Sequence, residues 1–183
     1  METLLEQVRD FADKAHGEQR RKYTPDRYIV HPARVMETCK KYSNALPVLA
    51  AALLHDVLED TPVTKEEMQE FLLSIMNKEE ATQTLELVIE LTDVYTKTAY
   101  PKLTRQQRKI KEYGRMEKVS AAAQTIKYAD IMDNSKEIVV HDSDFAPVYL
   151  HECKTLLEKM SKGNKALHRE AFQTVEEGLR QLR

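Results

Sequence analysis

Apolar residues return every three or four positions along almost the whole chain, the period of a helix with one buried face. Leu4, Leu5, Val8, Phe11, Ala12 and Ala15 make the first stripe, which Gly17 closes. His31-Pro32 opens a second helix, with the proline near its first position and Val35, Met36 and Cys39 turned inward. A third, from about 46 to 59, is apolar nearly all round and is expected at the centre. Thr64 and Glu67 form the capping box of a fourth, and a fifth runs from about 79 to 92. Beyond a basic stretch that reads as irregular, residues 119–132, 145–160 and 165–182 complete about eight helices. Four Gly and six Pro leave few turn formers for a β fold or a flexible linker. The expected fold class is therefore all-α. A length of 183 residues predicts a single domain over 1–183, with residues 145–182 as a C-terminal helical hairpin.

Several function classes fall away on composition. The longest apolar run, residues 45–54, contains a proline and is far short of the roughly 20 residues that span a bilayer, so no membrane partner is expected. The chain opens Met-Glu-Thr-Leu-Leu-Glu, with acid where a secretion signal carries positive charge, which points to a cytoplasmic protein. Cys39 and Cys153 are too few for a disulfide framework. Net charge is −2, yet residues 59–93 hold ten acids and two Lys while 97–118 hold eight basic residues and two Glu. The chain is polarised, and the acidic stretch reads as solvated helix faces. The overall charge and the absence of Trp argue against a nucleic-acid partner.

The central helix poses an energetic problem. Val48 to Leu54 are apolar without exception, and then come His55, Asp56, Glu59 and Asp60. Unpaired buried charge costs several kcal/mol, so something positive is needed there. A divalent cation meets the need, because imidazole and carboxylate both ligate Mn, Fe or Zn. Glu59, four residues after His55 and three after Asp56, would share their face one turn on, in a water-activating position. Asp130 interrupts a second apolar helix, with Lys127 and Asn134 on its face, and His31 opens another helix. Either alone reads as packing or a salt bridge; the set of His31, His55, Asp56 and Asp130 on three apolar helices does not.

This His…His-Asp…Asp set resembles the HD phosphohydrolase superfamily of all-α metal enzymes. The string His55-Asp-Val-Leu-Glu-Asp60-Thr is similar to the HDxxEDT signature of the RelA/SpoT hydrolase domain and the stand-alone small alarmone hydrolases. Ala15-His-Gly-Glu-Gln-Arg-Arg21-Lys22, Tyr28-Ile-Val-His-Pro32 and Ile126-Lys-Tyr-Ala-Asp130 with Asn134 add to the likeness, which covers residues 4–134 in order. The resemblance implies an HD-domain helical bundle that hydrolyses the 3′-pyrophosphate of (p)ppGpp, with Mn2+ (Fe2+ or Zn2+ as alternatives) on His31, His55, Asp56 and Asp130. It further implies that Glu59 and Asp60 activate and orient water, that Arg21 packs on the purine with Lys22 nearby, and that Asn134 contacts ribose.

The basic stretch contains Lys102, Arg105, Arg108 and Lys109, chemically suited to phosphate. Read from the residues alone, a solvated helix face and a phosphate site are equally good accounts; similar HD proteins place basic residues here against substrate phosphates. His141-Asp142 is a second such dipeptide, but helix capping explains Asp142 or Asp144 better. A hydrolase of adenine alarmones, or a phosphatase acting on the 2′-phosphate of NADPH, would need the same metal site. A non-catalytic nucleotide- or nucleic-acid-binding HD module is the alternative of another class. A homo-oligomer stays open.

Overall fold

The computed structural model describes residues 1–182. The helices gather into two compact units, residues 1–92 and residues 93 onward.

In the first unit α1 (Glu2–His16) buries Leu5, Val8, Ala12 and His16, one stripe of its surface, and stops at Gly17, whose φ of 54° suits a residue without a Cβ. After a thirteen-residue connection come α2 (Val30–Lys40) and α3 (Leu46–Leu54). Every residue of α3 from Val48 to Leu54 is buried, and the helix packs against α1, α2 and α6 (Lys78–Leu91). It is the axis of this unit, as its all-round apolarity predicts. Burying each of Leu49, Leu53 and Leu54 contributes roughly 1.5–3 kcal/mol. α5 (Lys65–Ile75) lies on α6. The amide of Glu67 donates to Thr64 at 3.2 Å to cap α5, and that of Glu80 donates to Asn77 at 2.9 Å to cap α6. The capping box expected at Thr64 is present.

The central helix differs from expectation at its end. It does not continue to 59: α3 stops at Leu54, His55 and Asp56 form a turn, and a short α4 (Val57–Asp60) begins anew. The cause is local. His55 Nδ1 lies 2.8 Å from the carbonyl of Ala52, the group that an unbroken helix offers to the amide of Asp56. A side chain inserted into the ladder in this way bends a helix.

The second unit holds α7 (Arg105–Met116), α8 (Ala121–His141), α9 (Ala146–Lys159) and α10 (Lys165–Gln181). α8, α9 and α10 pack mutually, and α7 lies on α9. The basic stretch read as irregular is in fact helical: Thr104 and Gln107 form a capping box that starts α7. α8 also runs on to His141 instead of ending at 132, because Ser135 and Ile138 extend its buried face. At its far end the carboxylate of Asp142 accepts from the amide of Phe145 at 3.2 Å within the turn that leads to α9, whose N-cap residue is Phe145, so neither Asp142 nor Asp144 is the N-cap expected there. The turn between α9 and α10 is tied to α8: Tyr128 donates to the Met160 carbonyl at 2.7 Å, and a Cβ on Gly163 would sit 2.5 Å from the Tyr128 ring.

Among the described residues there are ten helices and no strand, so the fold is all-α with two helices more than expected, α4 and α7. No helix is long and apolar enough to cross a membrane. Cys39 and Cys153 are both buried.

Candidate metal centre

Three elements of the first unit bring three ligand groups together. His31 is the second residue of α2, His55 ends α3, and Asp56 is the last residue before α4. One ligand atom from each lies within 4.8 Å of the others. Asp56 Oδ2 is 3.1 Å from His55 Nε2 and 3.6 Å from His31 Nε2, and the two imidazoles meet edge to face at 5.3 Å between centroids. The histidines are 1% and 3% exposed, the carboxylate 21%. The imidazoles are thus shielded from solvent, and the carboxylate is partly open to it.

The proton positions test whether a cation fits. A carbonyl oxygen only accepts, so the hydrogen on the neutral His55 ring belongs to Nδ1, facing Ala52. Nε2 then presents a lone pair to a carboxylate oxygen 3.1 Å away. Two acceptors at that separation repel unless a proton or a metal ion lies between them. A histidine that gives one N–H to a backbone carbonyl and turns its other nitrogen toward a carboxylate has the arrangement of a metal ligand with its orientation fixed. The residues present suit a divalent ion.

Tyr28 completes the arrangement. Its hydroxyl donates to Asp56 Oδ2 at 2.8 Å, its ring lies 4.4 Å from that of His16, and the Arg21 guanidinium sits 5.4 Å from its ring centroid. Burial, reinforced by the negative charges of Asp56 and Asp60, pushes the Tyr28 phenol far above its ordinary range, so it remains a donor at any physiological pH. Sequence reading passed over Tyr28 as a functional residue, although it stands three positions before His31, one helical turn away. His16 was likewise read only as part of a motif; it is buried, with Nδ1 2.9 Å from Gln19 Oε1.

The other candidates of this unit surround the cluster in sequence. Glu59 and Asp60 are exposed on α4. Lys22 reaches the Tyr23 hydroxyl at 2.8 Å. The connection carrying Arg21 and Lys22 is held by backbone bonds from Arg21 to Asp26 and from Tyr28 to Gln19, each 3.0 Å.

The second unit holds the remaining candidates. Asp130 on α8 is buried, with Oδ2 2.7 Å from Lys127 Nζ and Oδ1 accepting from Asn134 at 2.6 Å. The spacing expected from sequence thus brings these three side chains together. Lys102 is exposed in the turn before α7. Arg105 forks onto Glu152 of α9 with bonds of 2.9 and 2.7 Å and lies over the Phe145 ring. Arg108 donates to the Leu103 carbonyl. Lys109 lines a groove of about 540 Å³ between α7 and α9, with Ile110 and Val148 among its apolar walls.

Comparison with known proteins agrees with this geometry. The HD domain family matches residues 28–135. Human MESH1, named a guanosine-3′,5′-bis(diphosphate) 3′-pyrophosphohydrolase, is 36% identical over 141 residues, 74% of this chain and 69% of its own length. An enzyme of the same activity from Aquifex aeolicus is 42% identical over 66 residues, of which the chain spans only 9% of the length. The solved structure of a metazoan orthologue of SpoT, described as hydrolysing ppGpp, superposes with a TM-score of 0.78 at 26% identity, over 97% of this chain and 94% of that one.

Proposed function

The chain belongs to the HD-domain family, and from that premise we propose that it is a metal-dependent hydrolase that releases pyrophosphate from the 3′ position of (p)ppGpp. The observation that carries this reading is the cluster of His31, His55 and Asp56, with the His55 lone pair and the Asp56 carboxylate oxygen facing each other at 3.1 Å. The named activity of the relatives supplies the substrate class.

A divalent ion, Mn2+ in this proposal with Fe2+ or Zn2+ as alternatives, would neutralise phosphate charge and acidify water. Asp130 is proposed as a further ligand on the strength of the sequence pattern. Tyr28 keeps the Asp56 carboxylate in one orientation. In the reaction a water oxygen forms a bond to the phosphorus attached to the ribose 3′ oxygen. That phosphorus–oxygen bond breaks, pyrophosphate departs, and the 3′ oxygen takes up a proton. Glu59 accepts the proton of the attacking water, and Asp60 orients it. Arg21 packs against the purine with Lys22 beside it, Asn134 contacts ribose, and Lys102, Arg105, Arg108 and Lys109 take the 5′-phosphates. The substrate is a small nucleotide, and the whole of 1–183 is proposed as one catalytic domain acting in the cytoplasm.

The decisive experiment incubates the protein with ppGpp, pppGpp, ppApp and NADPH, each with and without Mn2+, and identifies the products. Pyrophosphate from the guanine compounds in the presence of Mn2+ is the expected result. Orthophosphate from NADPH alone would replace this reading with that of a 2′-phosphatase.

A further inference from the structure

Tyr28 touches both halves of the proposed chemistry. Its hydroxyl donates to the Asp56 oxygen that faces the two histidines, and the face or edge of its ring contacts Arg21 and His16. We propose that Tyr28 is a positioning residue: its hydroxyl fixes the ligand oxygen of Asp56, and its ring seats the Arg21 guanidinium, so that one side chain aligns the metal end of the site with the base-recognition end. This rests on the metal-centre reading above and adds a residue that the reading does not require.

The argument is geometric. Asp56 lies in the turn between α3 and α4, and its Oδ2 is the oxygen that faces both the two histidines and the Tyr28 hydroxyl. The bond from Tyr28, at 2.8 Å, occupies one lone pair of Oδ2 and leaves the other for a ligand shared with His31 and His55. The tyrosine is in turn held in place: its own amide donates to the Gln19 carbonyl at 3.0 Å, and His16, buried in α1, supports the ring. A rigid donor behind a ligand is worth about 10–100-fold in metal affinity or activity. Arg21 is the other end of the linkage, since the attraction of a cation to an aromatic ring is lost when the ring is lost.

The two halves separate by substitution. Tyr28→Phe keeps the ring and removes the hydroxyl, whereas Tyr28→Leu removes both. Mn2+ affinity is read by calorimetry on chelator-treated protein, the fold by the melting temperature of the metal-free protein, and turnover by pyrophosphate release from ppGpp. For Tyr28→Phe the expected result is Mn2+ affinity lowered about 10–100-fold, kcat lowered at saturating Mn2+, KM for ppGpp unchanged, and a metal-free melting temperature close to that of the parent. Tyr28→Leu adds a rise in KM. Parental Mn2+ affinity and kcat in Tyr28→Phe would overturn the proposal while leaving the metal centre intact. Absence of Mn2+ binding by the parent protein would instead overturn the centre, and this inference with it. A melting temperature that falls in Tyr28→Phe together with KM, and no loss of Mn2+ affinity, would make Tyr28 a structural residue and also sink the proposal.

Discussion

Asp56 and Asp130 are both carboxylates set into apolar helical surroundings, and the company they keep is opposite in character. Asp130 has a lysine ammonium at 2.7 Å and an amide N–H at 2.6 Å; its charge is matched within its own helix. Asp56 has two imidazole nitrogens and a phenol around it. The phenol is a donor to it, and imidazoles stand where Asp130 has an ammonium. One carboxylate is set beside a fixed cation of its own helix, and the other among imidazole nitrogens in a group that suits a divalent ion. The second His-Asp dipeptide, His141-Asp142, joins no group of three or more ligand side chains among the described residues.

That contrast can be broken in order of size. Asp56→Ala removes the carboxylate of the cluster, and both Mn2+ binding and pyrophosphate release should disappear; in the parent, chelation should lower the melting temperature, since a ligand at a hundred times its Kd adds about 2.7 kcal/mol. Activity that survives excess EDTA would end the metal reading. Glu59→Gln keeps shape and removes a proton acceptor, so kcat should fall by about 10²–10⁴-fold with Mn2+ affinity nearly constant, measured as metal content and single-turnover rate on the same preparation. Loss of the metal in that variant would make Glu59 a ligand or its support.

Lys127→Met tests the other carboxylate. It strips Asp130 of its cation and should cost about 1–3 kcal/mol in metal-free urea unfolding, the penalty for a buried acceptor left short of a donor. If Asp130 also ligates the ion, Mn2+ should recover more stability in this variant than in the parent. Equal recovery in the two would leave Asp130 a purely internal partner. The smallest effect is expected for the combined Arg105→Ala, Arg108→Ala protein. The fork between Arg105 and Glu152 is half exposed and worth about 0.2–1 kcal/mol, while loss of a phosphate contact should raise KM, more for pppGpp than for an analogue without 5′-phosphates. An unchanged KM would return α7 to the reading of a solvated face.

The sequence was most informative where burial and chemistry conflict. Charged and imidazole side chains at the end of seven buried apolar residues have few physical explanations, and His31, His55 and Asp56 are found together in space. Caps were legible too, because Thr64 and Gly17 act on amides or backbone angles only a few residues away. The break at His55 was not legible. Helical spacing assumes an intact ladder, and the imidazole that takes the Ala52 carbonyl has no signature in a hydrophobic pattern. α7 was missed for the converse reason: its basic residues hide the apolar period, although the Thr104-x-x-Gln107 box was in plain view. Tyr28 escaped because a tyrosine before a helix reads as packing until its hydroxyl is seen on a carboxylate.

The joint between α3 and α4 also governs how the chain tolerates changes in length. Because α4 starts afresh after Asp56, its rotational phase is set by two residues and not by the register of the core helix. One residue inserted ahead of α3 can be absorbed by the connection from α2. One inserted between Asp56 and Val57 turns Glu59 and Asp60 by about 100° and carries them about 1.5 Å along the axis, while His31, His55 and Asp56 keep their places. The core and the ion would survive such an insertion, and the proton acceptor would be aimed elsewhere. In the proposed site, the joint therefore divides the ligands His31, His55 and Asp56 from the proton acceptor Glu59.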